Sequence, residues 1–473
     1  MSLPICHLNA VPSDVDVTPI HILYMSDWDL FAAALPAAQF NIAKSHKFTA
    51  QTGQSLRLTD IDGNVEMVLF GAGEAQKDKP DTQGPMALGG LSRNLSSGYY
   101  TLSRLPHDWS ADLAAIAWGM GVYKFNRYLS KTLSAPTLVL ADGQDLKHIN
   151  SAVSATKLCR DLINTPASDM GPVALHEAAV ALAQSHGAQI RETVGQDLLE
   201  HNFPMIHAVG RAAHEDPRLV EFEWGNPEHP RLALIGKGIT FDTGGVNMKS
   251  ATGARLMKKD MGGAAHALAL AHMIMENNLP IRLHCLVAIA ENSVSAGAYR
   301  PGDILKSRTG LSIEIDNTDA EGRLVLGDAL CRAAEDNPVL MIDFATLTGA
   351  ARVALGPHLP PFFSNRQNPV KAVLEQSTRQ HDPVWHMPLW QPYLSMLSSP
   401  IADMKNAGGG FAGSVTAALF LEKFVKNTPW MHFDVYGWNP TDRASHPVGG
   451  DMYAVRGLFS WLMAGGLNGD FSG

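Results

Sequence analysis

Short apolar runs alternate with longer amphipathic stretches along most of this chain, and the two repeat periods assign the elements. Runs at 231–236, 282–290, 311–316, 339–344 and 430–435 are aliphatic, compact and bounded by polar or turn residues, which predicts strands. Apolar residues recurring every three to four positions predict helices at about 263–275, 322–335, 414–425 and 454–463. Alternation on this scale predicts an α/β fold, with a mainly parallel central sheet flanked by helices. Nearer the N-terminus, 19–24, 66–71 and 136–140 predict strands and Ala111 to Tyr128 a helix, which suits a smaller α/β N-terminal domain. Gly71 with Gly73 and Gly119 with Gly121 lack the third glycine of a dinucleotide fingerprint and are read as turns. The helical run from Lys147 to Ile163 meets Asn164-Thr165-Pro166, where proline disfavours helix at its predecessor. It is read as a rigid connector, and the chain divides into 1–147 and 148–473.

Two polar clusters interrupt this pattern, each placed beyond an apolar strand. The first is Asn317-Thr318-Asp319-Ala320-Glu321-Gly322-Arg323-Leu324. In an extended segment Asp319 and Glu321 point to one side, and two carboxylates aimed at one point repel unless a cation lies between them. Taken alone, such a triplet reads as an Asx-turn and helix cap, with Arg323 on a solvated face. The second cluster changes that reading. It follows Leu232-Ala233-Leu234-Ile235 and holds Lys237, Asp242, Gly244-Gly245, Lys249 and Asp260. Ligands of open α/β sheets gather beyond the carboxyl ends of strands. Hard divalent cations take several carboxylate oxygens, and Asp242, Asp260, Asp319 and Glu321 supply them. Lys237 joins such a set only as a neutral amine, which burial beside metal charge favours. Lys249 is then the free cation.

Composition narrows the function. At 473 residues the chain is long enough for two or three domains. A net charge of −9 gives no support for nucleic-acid or anionic-membrane binding as its main task. Cys6, Cys159, Cys285 and Cys331 form no CxxC pair and read as reduced thiols of a cytoplasmic protein. No basic leader precedes a long apolar run, and no segment reaches the length of a membrane span. The chain has 19 histidines but no HExxH or HxxEH helix. His266 and His432 lie in apolar surroundings and read as core residues.

The stretches GKGITFDTGG, LMKKDMGGAA and NTDAEGRL, in this order, resemble the cytosolic leucyl aminopeptidase family of two-metal exopeptidases. ATLTGA (Ala345 to Ala350) and KNAGGGFAGSVTAALFL (Lys405 to Leu421) extend the likeness, which runs from about Asp161 to near the C-terminus. The resemblance implies a catalytic domain at 148–473 and an N-terminal domain used in assembly, as a homohexamer made of two trimers. It implies one divalent cation on Asp242, Asp319 and Glu321 and a second on Lys237, Asp242, Asp260 and Glu321, the ions being zinc, manganese or magnesium. Lys249 would be the electrophile and Arg323 the holder of a bicarbonate ion. The substrate would be a peptide with a free N-terminus, hydrolysed through a two-metal-activated water. Met257, Thr346 and Gly349 would meet its first side chain, and a thioether among small neighbours suits leucine or another medium apolar residue. Three stretches depart from the pattern: Thr243 after the aspartate, Ser250 after Lys249, and Gly437-Trp438-Asn439-Pro440. Two other functions use similar residues. A two-metal phosphoester hydrolase uses carboxylates equally well, but the amine of Lys237 and the scarcity of histidine ligands oppose it. A nucleic-acid-binding role is opposed by the acidic charge.

Overall fold

The computed structural model describes residues 3–75, 84–130, 134–469 and 471. The chain forms two compact units, Met1–Lys157 with Thr441–Val448, and Leu158–Pro440 with Gly449–Gly473. This division falls inside the helix Leu146–Asn164, which runs unbroken to the residue before Thr165-Pro166. Among the described residues no helix is long and apolar enough to cross a membrane.

The first unit is built on strands β1 (Ile5–His7), β2 (Val17–Tyr24), β3 (Ser55–Thr59), β4 (Val65–Gly73), β5 (Tyr99–Arg104) and β6 (Thr137–Leu140). They form one sheet in the order β1-β6-β5-β2-β4-β3, parallel except for the β3–β4 pair. The two glycine pairs are not turns. Gly71 lies within β4, where a Cβ would stand 2.1 Å from the Gln51 carbonyl oxygen. Gly119 and Gly121 lie within the helix Ala111–Gly121, and a Cβ on Gly121 would stand 2.1 Å from the Gly89 carbonyl oxygen. Close backbone approach therefore explains Gly71 and Gly121, while Gly73 (φ +78°) and Gly119 lie against the side chains of Thr52 and Val153. That helix stops at Gly121 rather than at Tyr128.

The second unit is organised by an eight-stranded sheet. Its strands are β7 (Gln189–Val194), β8 (Arg218–Trp224), β9 (Arg231–Asp242), β10 (Arg282–Asn292), then β13 (Leu340–Ala345), β14 (Pro361–Ser364), β15 (Trp385–His386) and β17 (Trp430–Asp434), with β11 (Ile304–Lys306), β12 (Ser312–Glu314) and β16 (Met404–Lys405) forming a separate three-stranded sheet. The order β15-β14-β17-β13-β9-β10-β8-β7 places four mutually parallel strands, β17 to β10, at the centre, and antiparallel pairs flank them. Central parallel strands lie between helical layers and read as continuous apolar runs. All six residues of β13 are buried, as are nine consecutive residues of β9. The expected strand at 311–316 is only three residues long and pairs in the small sheet, so it is not part of the central one.

The helix Gly262–Glu276 packs against β9 and β13, with thirteen of its fifteen residues buried. Its approach depends on Gly263, where a Cβ would stand 2.2 Å from the Phe344 carbonyl oxygen. Gly263→Ala should gain about 1 kcal/mol in helix propensity and lose about 1–3 kcal/mol or more through overpacking against rigid backbone. We expect a net fall in the unfolding temperature by calorimetry; an unchanged or higher temperature would contradict this packing.

Candidate metal centre

The polar clusters meet because β9 is longer than its apolar run. Backbone pairing with β10 continues beyond residue 236, with Lys237 opposite Ala288 and Asp242 opposite Asn292. Lys237 and Asp242 are therefore strand residues near its carboxyl end, not loop residues after it. The chain then turns through Gly244 (φ +87°) and Gly245 (φ +63°), a conformation that favours glycine. The Lys249 N–H closes this loop by donating to the Thr243 carbonyl at 2.9 Å. Asp260 lies in the short 3-10 segment Met257–Met261 that leads into the helix Gly262–Glu276.

The second loop does not converge by extended alternation. It is a turn: the Ala320 N–H donates to the Asn317 carbonyl at 3.2 Å, and the Asp319 N–H to Asn317 Oδ1 at 2.8 Å. The Asx-turn expected of an isolated triplet is thus present, but Asn317 makes it. Thr318 joins the two loops instead of capping a helix. Its Oγ1 donates to the Gly244 carbonyl at 2.6 Å and accepts from the Asn247 N–H at 2.8 Å. Asn292 Nδ2 donates to Asp242 Oδ1 at 2.8 Å and to the Thr318 carbonyl at 3.1 Å. Asn406, at the end of β16, accepts from the Asp316 and Asn317 N–H groups and donates to the Asn317 carbonyl at 2.7 Å. Neither asparagine is identified as a site residue by the sequence reading, since Asn292 is a lone amide ending an apolar strand and Asn406 follows a strand of two residues.

The outcome is a buried, alternating array of charge. Lys237 Nζ lies 2.8 Å from Asp260 Oδ2 and 2.9 Å from Glu321 Oε1. Lys249 Nζ lies 2.7 Å from Asp242 Oδ2 and is also paired with Asp319 Oδ1. One oxygen of each of two carboxylates is fixed by neighbours, Asp242 Oδ1 by Asn292 and the Gly244 N–H, and Asp260 Oδ1 by Thr346 Oγ1 at 2.7 Å. Oxygens of Asp242, Asp319 and Glu321 lie within 4.8 Å of one another, and the buried Glu321 Oε2 has no hydrogen-bond partner. Burial and the neighbouring Asp260 push Asp242 up to about 6, and burial and Asp242 push Glu321 up to about 7. Burial likewise raises Asp319, against the pull of Lys249. These carboxylates are short of positive charge, and the all-oxygen set with one amine fits a hard or borderline divalent cation. Burial alone would lower Lys237, but Asp260, Glu321 and Asp242 outweigh it and raise its pKa. Its own neighbours thus hold it as ammonium, and coordination requires metal charge to displace that proton.

These residues border one cavity of about 470 Å³, which Met257, Thr346 and Gly349 also line. Arg323 stands apart from that lining. It is buried, its Nη1 donates to the Asn406 carbonyl at 2.7 Å, its Nε lacks a partner, and burial lowers its pKa to about 10. Lys259, Arg352 and Tyr436 also line the cavity and are missed by the sequence reading. Lys259 had only its neighbour Asp260 to flag it.

The departures have structural consequences. Thr243 Oγ1 donates to the Asn292 carbonyl at 2.7 Å, and Ser250 caps the short helix Ala251–Ala254. Trp438 and Asn439 pair with Gly449 and Gly450, and Trp438 lies 5.6 Å beneath the Lys258 ammonium. His266 is a satisfied core residue, with Nδ1 on the Gly262 carbonyl and Nε2 accepting from the Tyr453 N–H. His432 is buried and paired through Nδ1 with Asp343 at 2.6 Å, but its Nε2 has no partner.

Residues 157–459 match the family profile described as the cytosol aminopeptidase family, catalytic domain, and residues 17–141 match the M17 aminopeptidase N-terminal domain. A probable cytosol aminopeptidase of Roseiflexus castenholzii is 39% identical over 369 residues, which cover 74% of this chain and 76% of the relative. One of Synechococcus elongatus is 34% identical over 422 residues, covering 86% and 87%. Among solved structures, a cytosol aminopeptidase from Coxiella burnetii superposes with a TM-score of 0.89 at 38% identity, covering 98% of this chain and 99% of that one. The bottromycin maturation enzyme BotP in complex with Mn superposes at 0.85 and 31% identity, covering 94% and 99%.

The fit of Lys237 into the centre depends on Gly322, where a Cβ would stand 2.6 Å from Lys237 Cε and 2.7 Å from its Nζ. Gly322→Ala should therefore displace the amine. We expect Mn²⁺ affinity, measured by calorimetric titration, to fall at least about tenfold, or about 1.4 kcal/mol; native affinity would show that Lys237 has no part in the site.

Proposed function

We propose that this metal-dependent aminopeptidase, whose chain belongs to the cytosol aminopeptidase family, holds two divalent cations and removes a leucine-like or other medium apolar residue from the N-terminus of peptides. One observation carries the reading: Lys237, Asp242, Asp260, Asp319 and Glu321 converge on one cavity, with the buried Glu321 Oε2 unpartnered. We assign Asp242, Asp319 and Glu321 to one cation and Lys237, Asp242, Asp260 and Glu321 to the other. Zinc, manganese and magnesium all suit the set, and the manganese complex of BotP is consistent with the second. When bound, the cations supply an acidified water and polarise the scissile carbonyl, and a bicarbonate on Arg323 supplies a proton acceptor.

The chain's own groups have separate tasks. The carboxylates gather positive charge at the sheet's end, while Asn292 and Thr346 fix their orientation. Lys249, tethered between Asp242 and Asp319 at the cavity, is placed to stabilise the oxyanion that forms on the carbonyl, a contribution of about 3–4 kcal/mol in comparable sites. Arg323 is the anion holder, and its unpartnered Nε supports that role. Met257 offers a pliable apolar wall, and Gly349 has open space where a side chain would be, which leaves room for a branched aliphatic group. The first unit serves assembly as a homohexamer of two trimers in this reading, and the relatives' description as cytosol enzymes supports a cytoplasmic location.

Lys249→Ala and Asp260→Ala should each abolish turnover while the fold persists by circular dichroism. Retention of more than about a tenth of the native rate, which corresponds to a barrier change under about 1.4 kcal/mol, would falsify their assignment. Acetylation of the substrate amine removes the group that marks a peptide end. In assays with metal content measured alongside, leucyl dipeptides should be cut and their acetylated forms left intact; equal cleavage of both would mean that the enzyme does not count from the N-terminus.

A further inference from the structure

Two further cationic side chains line the cavity, and among the described residues neither makes an ion pair with a carboxylate of the centre. Lys259 and Arg352 both line it, and both are packed on the same ring, with Lys259 Nζ and the Arg352 guanidinium carbon each 4.9 Å from the Tyr436 centroid. The two cations are thus no farther apart than twice that distance. Among the described residues Lys259 Nζ has neither a hydrogen-bond acceptor nor an ion pair, although Lys259 is only 6% exposed. Asp434 is the other nearby carboxylate besides Asp260, and it is committed elsewhere, accepting from the Leu347 and Thr348 N–H groups and from Thr348 Oγ1. Arg352 is exposed, and among the described residues the hydrogen bond and ring contact of its side chain are both to Tyr436, through a 3.4 Å contact from Nη1 to the phenol oxygen and through the ring.

An ammonium buried without an acceptor is costly, and a second cation on the same ring adds repulsion. A stacked aromatic face offsets only part of this, about 0.5–2 kcal/mol per cation. An anion entering the cavity would supply the missing acceptor to both groups, and the guanidinium fork suits a carboxylate in particular. From this arrangement we propose that Lys259 and Arg352, held by Tyr436, form a subsite for a substrate carboxylate. It rests on the aminopeptidase reading and adds to it a substrate class, since an apolar pocket alone would not select an acid. The carboxylate has two possible sources in a peptide: an acidic first side chain, or the C-terminus of a dipeptide.

The test compares two substrate pairs, glutamyl against leucyl anilide, and leucyl-leucine against leucyl-leucinamide, with native enzyme and the Lys259→Met and Arg352→Gln variants. In one pair the kcat/KM ratio of the acidic to the neutral member should fall at least tenfold in both variants. A fall in the first pair identifies the side chain as the source, and a fall in the second identifies the C-terminus. Arg352 is exposed, so its variant provides the result if Lys259→Met does not fold. Calorimetric titration of the Lys249→Ala enzyme, with and without each of the two substitutions, using free glutamate, free leucine, leucyl-leucine and leucyl-leucinamide, reads the same two preferences without turnover. It separates failure of this subsite from failure of the hydrolytic reading. Ratios that stay within twofold in both pairs, by turnover or by titration, overturn the proposal.

Discussion

Four carboxylates cannot share a buried cavity without compensating positive charge, and most of the second unit's local structure answers that constraint. The protein's own answer is two lysines, each between two acids. Lys237 reaches from the middle of the central sheet to Asp260 and Glu321, and Lys249 reaches from a loop to Asp242 and Asp319. Burial, with the neighbouring carboxylates, raises Asp242 and Glu321 even with both lysines beside them. A centre in this condition favours divalent cations, which is what its chemistry needs. Residues that touch no cation then take on importance. Asn292, Thr318 and Asn406 fix the loops whose repulsion would otherwise push them apart.

Much of this was legible in the residues themselves. The apolar runs of β9, β10, β13 and β17 marked the centre of the sheet, since strands buried on both faces leave a continuous aliphatic record. The helix Gly322–Glu335 lay where its periodicity placed it. The chemistry-bearing residues stood out because charge is rare in such company. β9 was read too short because Lys237 and Asp242 look like the polar end of a strand, although backbone pairing with β10 carries them into the sheet. β12 was assigned to the wrong sheet because period and length say nothing about which partner a strand finds. Its partner β16 is two residues long and carries almost no signal of its own.

The glycines teach a related lesson. Gly71 and Gly121 read as turns because turn formation is the commonest local use of glycine, yet each is present so that two stretches of backbone can touch. Long-range contact leaves no mark in the neighbouring sequence. The same applies to Lys259, Arg352 and Tyr436, which are far apart along the chain and meet only across a cavity wall. No spacing rule connects them, whereas Asp319, Glu321 and Arg323 announce themselves within five residues.

The charged groups of the centre come from two different sheets and from the short 3-10 segment that holds Asp260. Lys237 and Asp242 are part of β9 in the large sheet, while Asp319 and Glu321 follow β12 of the small one, whose turn is gripped by Asn406 from β16. The spacing between the two halves is therefore set along the seam where the sheets abut, by residues that hold no ion. Substitutions in that seam would shift the acids that follow β12 relative to those beyond β9, and so resize the cavity between them, while every charged side chain of the centre stays in place.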